Sequence, residues 1–244
     1  MIDVEGCEVV AVVAGDCVGS MDGEAFLRTA DNTCQNSDAP LASPVIPHGY
    51  DRFTQYHIDS GLTSRDDFRL VPCVESIHAC RNDGALMRAE LTVEKVREAR
   101  DVTPNISLLE CARRADGAIA IVLASNRFLA RQGILRTESP ESRGRFPVLL
   151  GYGEASGPLF PPRDISEQVF SCEDACDIAY EVAQLSPGDI DFFGLYDCFP
   201  VCLVRALEAA GLAERGRGGD LLRECYEGYH RAVARGGGSP SSRE

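Results

Sequence analysis

An unbroken run of β-branched and small apolar residues, EVVAVVAGD at 8–16, ends in Gly-Asp and sets the first limit on the fold. Alternating apolar and polar residues would mark a strand with one wet face. A continuous run predicts a strand buried on both faces, as in the middle of a layered α/β domain. GAIAIVLAS (117–125) repeats the pattern behind an Asp116-Gly117 turn, and FPVLLGYGE (146–154) and DIDFFGLYD (189–197) predict a third and a fourth strand.

Between the first two strands the chain changes character. Residues 31–50, DNTCQNSDAPLASPVIPHGY, are polar and Pro-rich and predict a loop or an excursion from the core. A helical stretch follows, with Thr63 and Asp66 as its N-terminal capping pair and apolar residues at roughly every turn toward His78. Pro72 predicts a kink or a fresh start within it. LTVEKVREARDV (91–102) predicts a short exposed amphipathic helix. The stretch 36–107 therefore reads as an insertion between two core strands.

The second half carries cleaner punctuation. Ser171 with Asp174 predicts a helix start, and Ala175, Ile178, Ala179, Val182 and Leu185 share one face until Pro187-Gly188 stops it. After the strand IDFFGL, a sharp YDCF turn feeds Pro200 at the first position of an apolar helix, VCLVRALEAAG, ending at Gly211. LLRECYEGYHRAV predicts a last helix, and RGGGSPSSRE has the composition of a disordered tail.

Composition excludes several functions. The 244 residues carry a net charge of −14, and ARRADG and ERGRGG are the nearest approaches to a basic stripe. A nucleic-acid groove needs a denser one. No apolar run nears the ~20 residues of a membrane span, and the N-terminus has no basic leader, so a protein retained inside the cell is expected. Eleven scattered cysteines predict reduced, mostly buried thiols. Cys172/Cys176 and His78/Cys80 lack the CxxC knuckles of a structural zinc site, so no metal is expected. Gly151-Tyr152-Gly153 follows a strand without the third glycine of a dinucleotide fingerprint, and no Walker or hydrolase-elbow pattern occurs. His48 and His57 are expected to pack and hydrogen-bond rather than to contact a ligand, and His230, on the last helix, to have an exposed or partner-bound surface role.

The strand–YDCF–helix unit is where chemistry is expected. Tyr196, Asp197 and Cys198 are held on a tight loop at the end of a strand, the usual address of reactive groups in α/β folds. A Cys at the foot of a helix gains from the positive end of the helix dipole, which favours thiolate. The alternative is a buried thiol in a strand–helix corner, with Tyr and Asp bonding backbone. Local sequence leaves both open.

These residues resemble the thiolase superfamily. GLYDCFPVCLVRALEAAGLAERGRGG is similar to the loop and helix of sterol-carrier-protein-type thiolases, whose signature is HDCF followed by an apolar helix and a Gly-rich stretch. LLECARRADGAIAIVLAS and CEVVAVVAGDCVGSM are similar to two of the family's core-strand segments. The resemblance spans about residues 5–230. It implies an α/β thiolase-like fold: 1–35 and 108–130 from a first half, 36–107 as the inserted loop domain, 131–232 as most of the second half, and 233–244 as tail. It implies acyltransfer on acyl-CoA thioesters without a resident cofactor, coenzyme A being part of the substrate. Cys198 then matches the family's acid/base cysteine, Tyr196 stands where the motif has histidine, and Asp197 and Phe199 match directly.

The resemblance also implies departures. The nucleophilic cysteine should lie upstream of the strand at 8–14, and a His-Gly segment should follow the last helix, so truncation at both ends and inactivity of the chain alone are expected. Tyr196 brings in a related branch, retro-aldolases acting on steroid side-chain CoA esters with a small OB-fold partner. A homodimer or a thiolase-like partner is the expected assembly, in the cytoplasm or, in a eukaryote, the mitochondrial or peroxisomal matrix. A non-catalytic remnant that binds such a partner is the third reading.

Overall fold

The computed structural model describes residues 6–35, 39–134, 147–157, 162, 164–166 and 171–235. It divides into two compact units. One comprises 1–26 with 113–150, and the other 27–112 with 151–244.

The first unit is built on β1 (Val9–Cys17) and β4 (Asp116–Ala124), paired antiparallel in unbroken register from Val9↔Ala124 to Cys17↔Asp116. Both strands fall where the apolar runs predict. Their surroundings do not: neither strand has a buried residue, and Val12, Val13, Ile119, Ile121 and Val122 are all exposed. Successive side chains of a strand point to opposite faces, so both faces of this ribbon are apolar and open. Among the described residues the two strands pair only with each other, and the expected burial on both faces is absent. A short helix, α5 (Asn126–Arg131), follows β4, its N-cap Ser125 accepting from Phe128 N at 3.1 Å.

The second unit is helical and encloses the core. Helix α1 (Gly23–Cys34) occupies the start of the predicted 31–50 loop, and α2 (Val45–Asp59) its end, leaving a short connection of which 39–44 are described. Helix α3 (Arg65–Ala79) begins one residue later than predicted. Ser64 and Asp67 form the capping box, while Thr63 turns to His57 at 3.4 Å. Pro72 neither kinks nor restarts α3. It costs the helix one hydrogen bond, but Phe68, Leu70, Val71, Cys73, Val74 and Ile77 are buried along the same helix and fix its path. Arg223 of the last helix donates to Asp67 at 2.8 Å, tying the start of α3 to the C-terminal helix.

Helix α4 (Val93–Glu98) is shorter than the predicted 91–102 and is not simply exposed, because Val96 is fully buried. The chain then leaves the helix at Ala99 for a small antiparallel pair, β2 (Asp101–Thr103) with β3 (Ile106–Ser107). Buried Glu110 in the turn beyond β3 accepts both guanidinium nitrogens of Arg65, at 2.6 and 2.5 Å, and Ser107 N at 2.7 Å.

Helix α6 (Cys172–Ala183) starts at Ser171 as expected, yet the Ser171 hydroxyl makes no cap and donates to the Ala155 carbonyl at 3.0 Å. The helix ends before Pro187-Gly188, at Gln184 in the left-handed region with φ 54°. Ile178 and Val182, assigned by periodicity to its inner face, are exposed. Its contact face is the small-residue side. A Cβ on Gly153 would lie 1.9 Å from the Ala175 carbonyl, and one on Gly151 2.4 Å from that of Ala179. Those two glycines thus serve close packing on α6, and the described residues of the predicted third strand, 147–154, pair with no strand; Phe146 is outside the described residues. The predicted fourth strand at 189–197 is likewise irregular, since no described strand lies beside it to complete a ladder, and Phe192 is 84% exposed.

Helix α7 (Pro200–Ala209) matches its prediction in detail, with Pro at N1 and a Schellman end: Gly211 N to Glu208 O and Leu212 N to Leu207 O, both 3.0 Å, around Gly211 at φ +74°. Helix α8 (Gly218–Ala234) closes the unit. Phe53, Phe68, Val71, Val201, Val204 and Leu222, from α2, α3, α7 and α8, form one core. The predicted tail, 233–244, lies outside the described residues except 233–235, where α8 runs on to Ala234.

Candidate active site

The YDCF loop stands at the foot of α7 with helices from the 36–107 stretch packed against it. Phe199 is the N-cap residue and is buried, its ring 4.6 Å from that of Tyr50 on α2. Cys198 is thus the residue just before the N-cap, where the positive end of the helix acts. Its carbonyl accepts Ala112 N at 3.1 Å, which pins the loop to the segment beyond β3.

Cys198 is half-buried, and its Sγ lies 3.6 Å from Sγ of Cys202, one turn into α7. The Cys202 thiol as donor, then the Tyr50 hydroxyl and the Cys198 backbone N–H, favour the Cys198 thiolate. They outweigh its desolvation and the repulsion from Asp197, and bring it down to about 7. Cys202 is pushed the other way, first by donating to Cys198 and then by burial. Burial and the bond to Cys198 push Tyr50 above the ordinary phenol range. The arrangement is one thiolate served by two neutral donors.

Tyr196 is 77% exposed, its hydroxyl raised by desolvation and by the neighbouring Cys198. At neutral pH it is a hydrogen-bond donor and no base. Asp197 turns the opposite way. It lines a cavity of about 60 Å³ with Val71, Glu75, Glu110, Cys111 and Pro200. Burial first, then the Asp197 charge and a hydrogen bond to Asp197, push the Glu75 carboxyl up to about 9. Glu75 is therefore protonated at neutral pH and donates to Asp197. The neutral Glu75 carboxyl avoids placing a second negative charge beside Asp197.

The loop carries all three predicted residues, with Cys198 against Cys202, Tyr196 exposed and Asp197 on the cavity beside Glu75. Tyr50, Glu75 and Cys202 were not singled out for the site. Only Cys202 had a local signal, its position one helical turn after Cys198. His57 is fully buried among Phe53, Tyr56 and Phe68, and His48 Nδ1 lies 2.9 Å from the Pro44 carbonyl. His230 sits edge-on between Tyr226 and Tyr229 on α8. All eleven cysteines are free, but Cys73 alone is fully buried and Cys7, Cys17 and Cys225 are exposed, against the expectation of buried thiols. No cluster of three or more His, Cys, Asp or Glu suited to a metal occurs among the described residues, and no helix there is long and apolar enough to cross a membrane.

The loop and helix that resemble the thiolase motif stand together in the helical unit, and comparison with known proteins bears on the same family. The family model described as thiolase C-terminal domain-like matches residues 162–242. The acetyl-CoA acetyltransferase of Methanothermobacter thermautotrophicus is 30% identical over 177 residues, covering 72% of this chain and 43% of that protein. Sterol carrier protein 2 of Oryctolagus cuniculus is 27% identical, with 74% and 32% covered. The benzoylsuccinyl-CoA thiolase subunit BbsB of Thauera aromatica is 29% identical, with 71% and 42% covered. A solved structure titled Ltp2-ChsH2(DUF35) aldolase shares the fold at a TM-score of 0.66 and 20% identity, over 89% of this chain and 55% of that one. These matches support a thiolase-superfamily chain, thiolase-like of the sterol-carrier-protein type. It spans less than half the length of these curated relatives.

Proposed function

We propose that this chain supplies the acid/base centre of a thiolase-like acyltransferase acting on acyl-CoA thioesters. The observation that carries the reading is Cys198, held at about 7 by the donors Cys202 and Tyr50 at the foot of α7. A thiolate poised near neutral pH can take a proton from the carbon beside a thioester and return it to a leaving thiolate. Tyr196 donates a hydrogen bond to the oxygen on which charge develops. Asp197, bound by Glu75, positions the loop. Residues 36–107 act as the loop domain, and 131–232 as part of the second half of the family's fold. The acyl-accepting cysteine of such chemistry is assigned to no residue of this chain, so full acyl transfer requires a further segment or a thiolase-like partner, the chain itself pairing as a homodimer.

The test separates the acid/base step from acyl transfer. The chain is incubated with acetyl-CoA in heavy water, and deuterium in the acetyl group is read by mass. Uptake that disappears in Cys198→Ala supports the reading; no uptake above the protein-free rate overturns it.

A second reading, retro-aldol cleavage of a CoA ester with an OB-fold partner, is favoured by Tyr196 standing exposed where the motif has histidine. Tyrosine donates a hydrogen bond in place of histidine's proton exchange. Release of a carbonyl product from a 3-hydroxyacyl-CoA, abolished in Tyr196→Phe, would decide for it.

A further inference from the structure

We propose that Cys198 and Cys202 form a peroxide-sensitive modification site, in which Cys198 is oxidised first and Cys202 resolves it into a disulfide across the foot of α7. The inference stands on the geometry of the pair, not on the acyl chemistry. The two sulfurs are 3.6 Å apart, both half-buried, and in hydrogen-bond contact. A disulfide needs them at about 2.05 Å, so the sulfurs have about 1.5 Å to close, between a residue outside the helix and a residue in its first turn. Cys198 precedes the N-cap Phe199, and Cys202 N bonds Phe199 O at 2.9 Å in that first turn. The α7 hydrogen-bond ladder beyond Cys202 is not asked to move.

The roles follow from chemistry. Thiolate, not thiol, attacks peroxide. The Cys202 and Tyr50 donors favour thiolate on Cys198 and disfavour it on Cys202. The Cys198 thiolate attacks one oxygen of hydrogen peroxide, the O–O bond breaks, and hydroxide leaves a sulfenic acid. The Cys202 sulfur then attacks the Cys198 sulfur, the S–O bond breaks, and the hydroxyl departs as water with the Cys202 proton. Two electrons pass from the sulfur pair to one peroxide, and a thiol reductant reverses the change. The product occupies the Cys198 sulfur, so any chemistry at this atom stops while the bond is closed.

The other cysteines supply the internal control. Cys7, Cys17 and Cys225 are more exposed but have no thiol partner in contact. Exposure alone predicts that they oxidise first; the proposal predicts the reverse. The full chain is treated with increments of hydrogen peroxide, the remaining thiols are alkylated, and each cysteine is followed by peptide mass. Loss of two hydrogens from the peptide holding Cys198 and Cys202, located to that pair by fragmentation and reached before Cys7, Cys17 or Cys225 react, is the expected result. The rate should rise roughly tenfold from pH 6 to pH 8, as the Cys198 thiolate fraction grows. In Cys202→Ser a dimedone-reactive sulfenic acid should accumulate on Cys198, whereas Cys198→Ser should leave Cys202 unmodified. Earlier oxidation of the exposed cysteines, or a disulfide between Cys172 and Cys176 in place of the 198–202 bond, would overturn the proposal. Because the readout is a covalent mass, it is independent of whether the chain turns over acyl-CoA.

Discussion

The two units use apolar residues in opposite ways. In the helical unit, α2, α3, α7 and α8 each bury one face, and charged groups that enter the interior are paired there. Arg205 is 1% exposed, donates to Glu208 at 3.2 Å and forms an ion pair with Glu173, while Glu208 also accepts Gly218 N at 3.0 Å. In the β1–β4 ribbon, the most apolar stretches of the sequence lie open on both faces. Hydrophobicity alone therefore does not locate the core of this chain. What locates it is whether an element's apolar face meets another element, and only the helical unit, which also carries the YDCF loop, meets that condition here.

The comparison can be broken at its strongest point by removing the buried cation. Arg205→Met leaves the buried Glu208 without its cation and should cost about 3–5 kcal/mol of stability, read by urea unfolding followed by helical signal. Little change would mean that the helical unit is not held as described. Phe68→Ala, which empties the centre of the core, should cost a similar ~3–5 kcal/mol. On the other side, Val13→Thr with Val122→Thr should shift the same unfolding curve by no more than about 0.5 kcal/mol while cutting binding of an apolar dye. A large loss there would show that the ribbon is covered in solution.

A subtler change sharpens the account of the loop. Glu75 has its folded value raised, so the stability linked to it is full below the ordinary carboxylate range and is lost as pH rises toward about 9. Glu75→Gln keeps a donor to Asp197 and removes that titration. The variant should unfold at a midpoint that depends less on pH between about 5 and 9 than the parent's. Identical pH slopes would contradict the raised Glu75 carboxyl.

Much of this was legible in the sequence because it is local. Pro200 at N1 and Gly211 after the last turn fix both ends of α7, and the β-branched runs place β1 and β4 to within a residue. The misses share a cause, which is dependence on distant partners. Apolar runs at 146–154 and 189–197 read as strands, but a strand needs a neighbour, and the described segments have none. Pro72 reads as a break until the core contacts of α3 are known. Cys198, Tyr196 and Asp197 announce themselves as a motif. Tyr50 and Glu75 arrive from α2 and α3, more than 100 residues earlier in the chain, and no local pattern links them to the loop.

The account rests on Cys198 being a thiolate near neutral pH through its contacts with Cys202 and Tyr50. Its alkylation rate by iodoacetamide, followed at that residue by peptide mass from pH 5 to pH 10, tests this directly. A midpoint at about 7 in the parent chain, rising toward the ordinary thiol value in Cys202→Ala and Tyr50→Phe, is predicted. A midpoint at or above about 8.5 that neither substitution moves would contradict it.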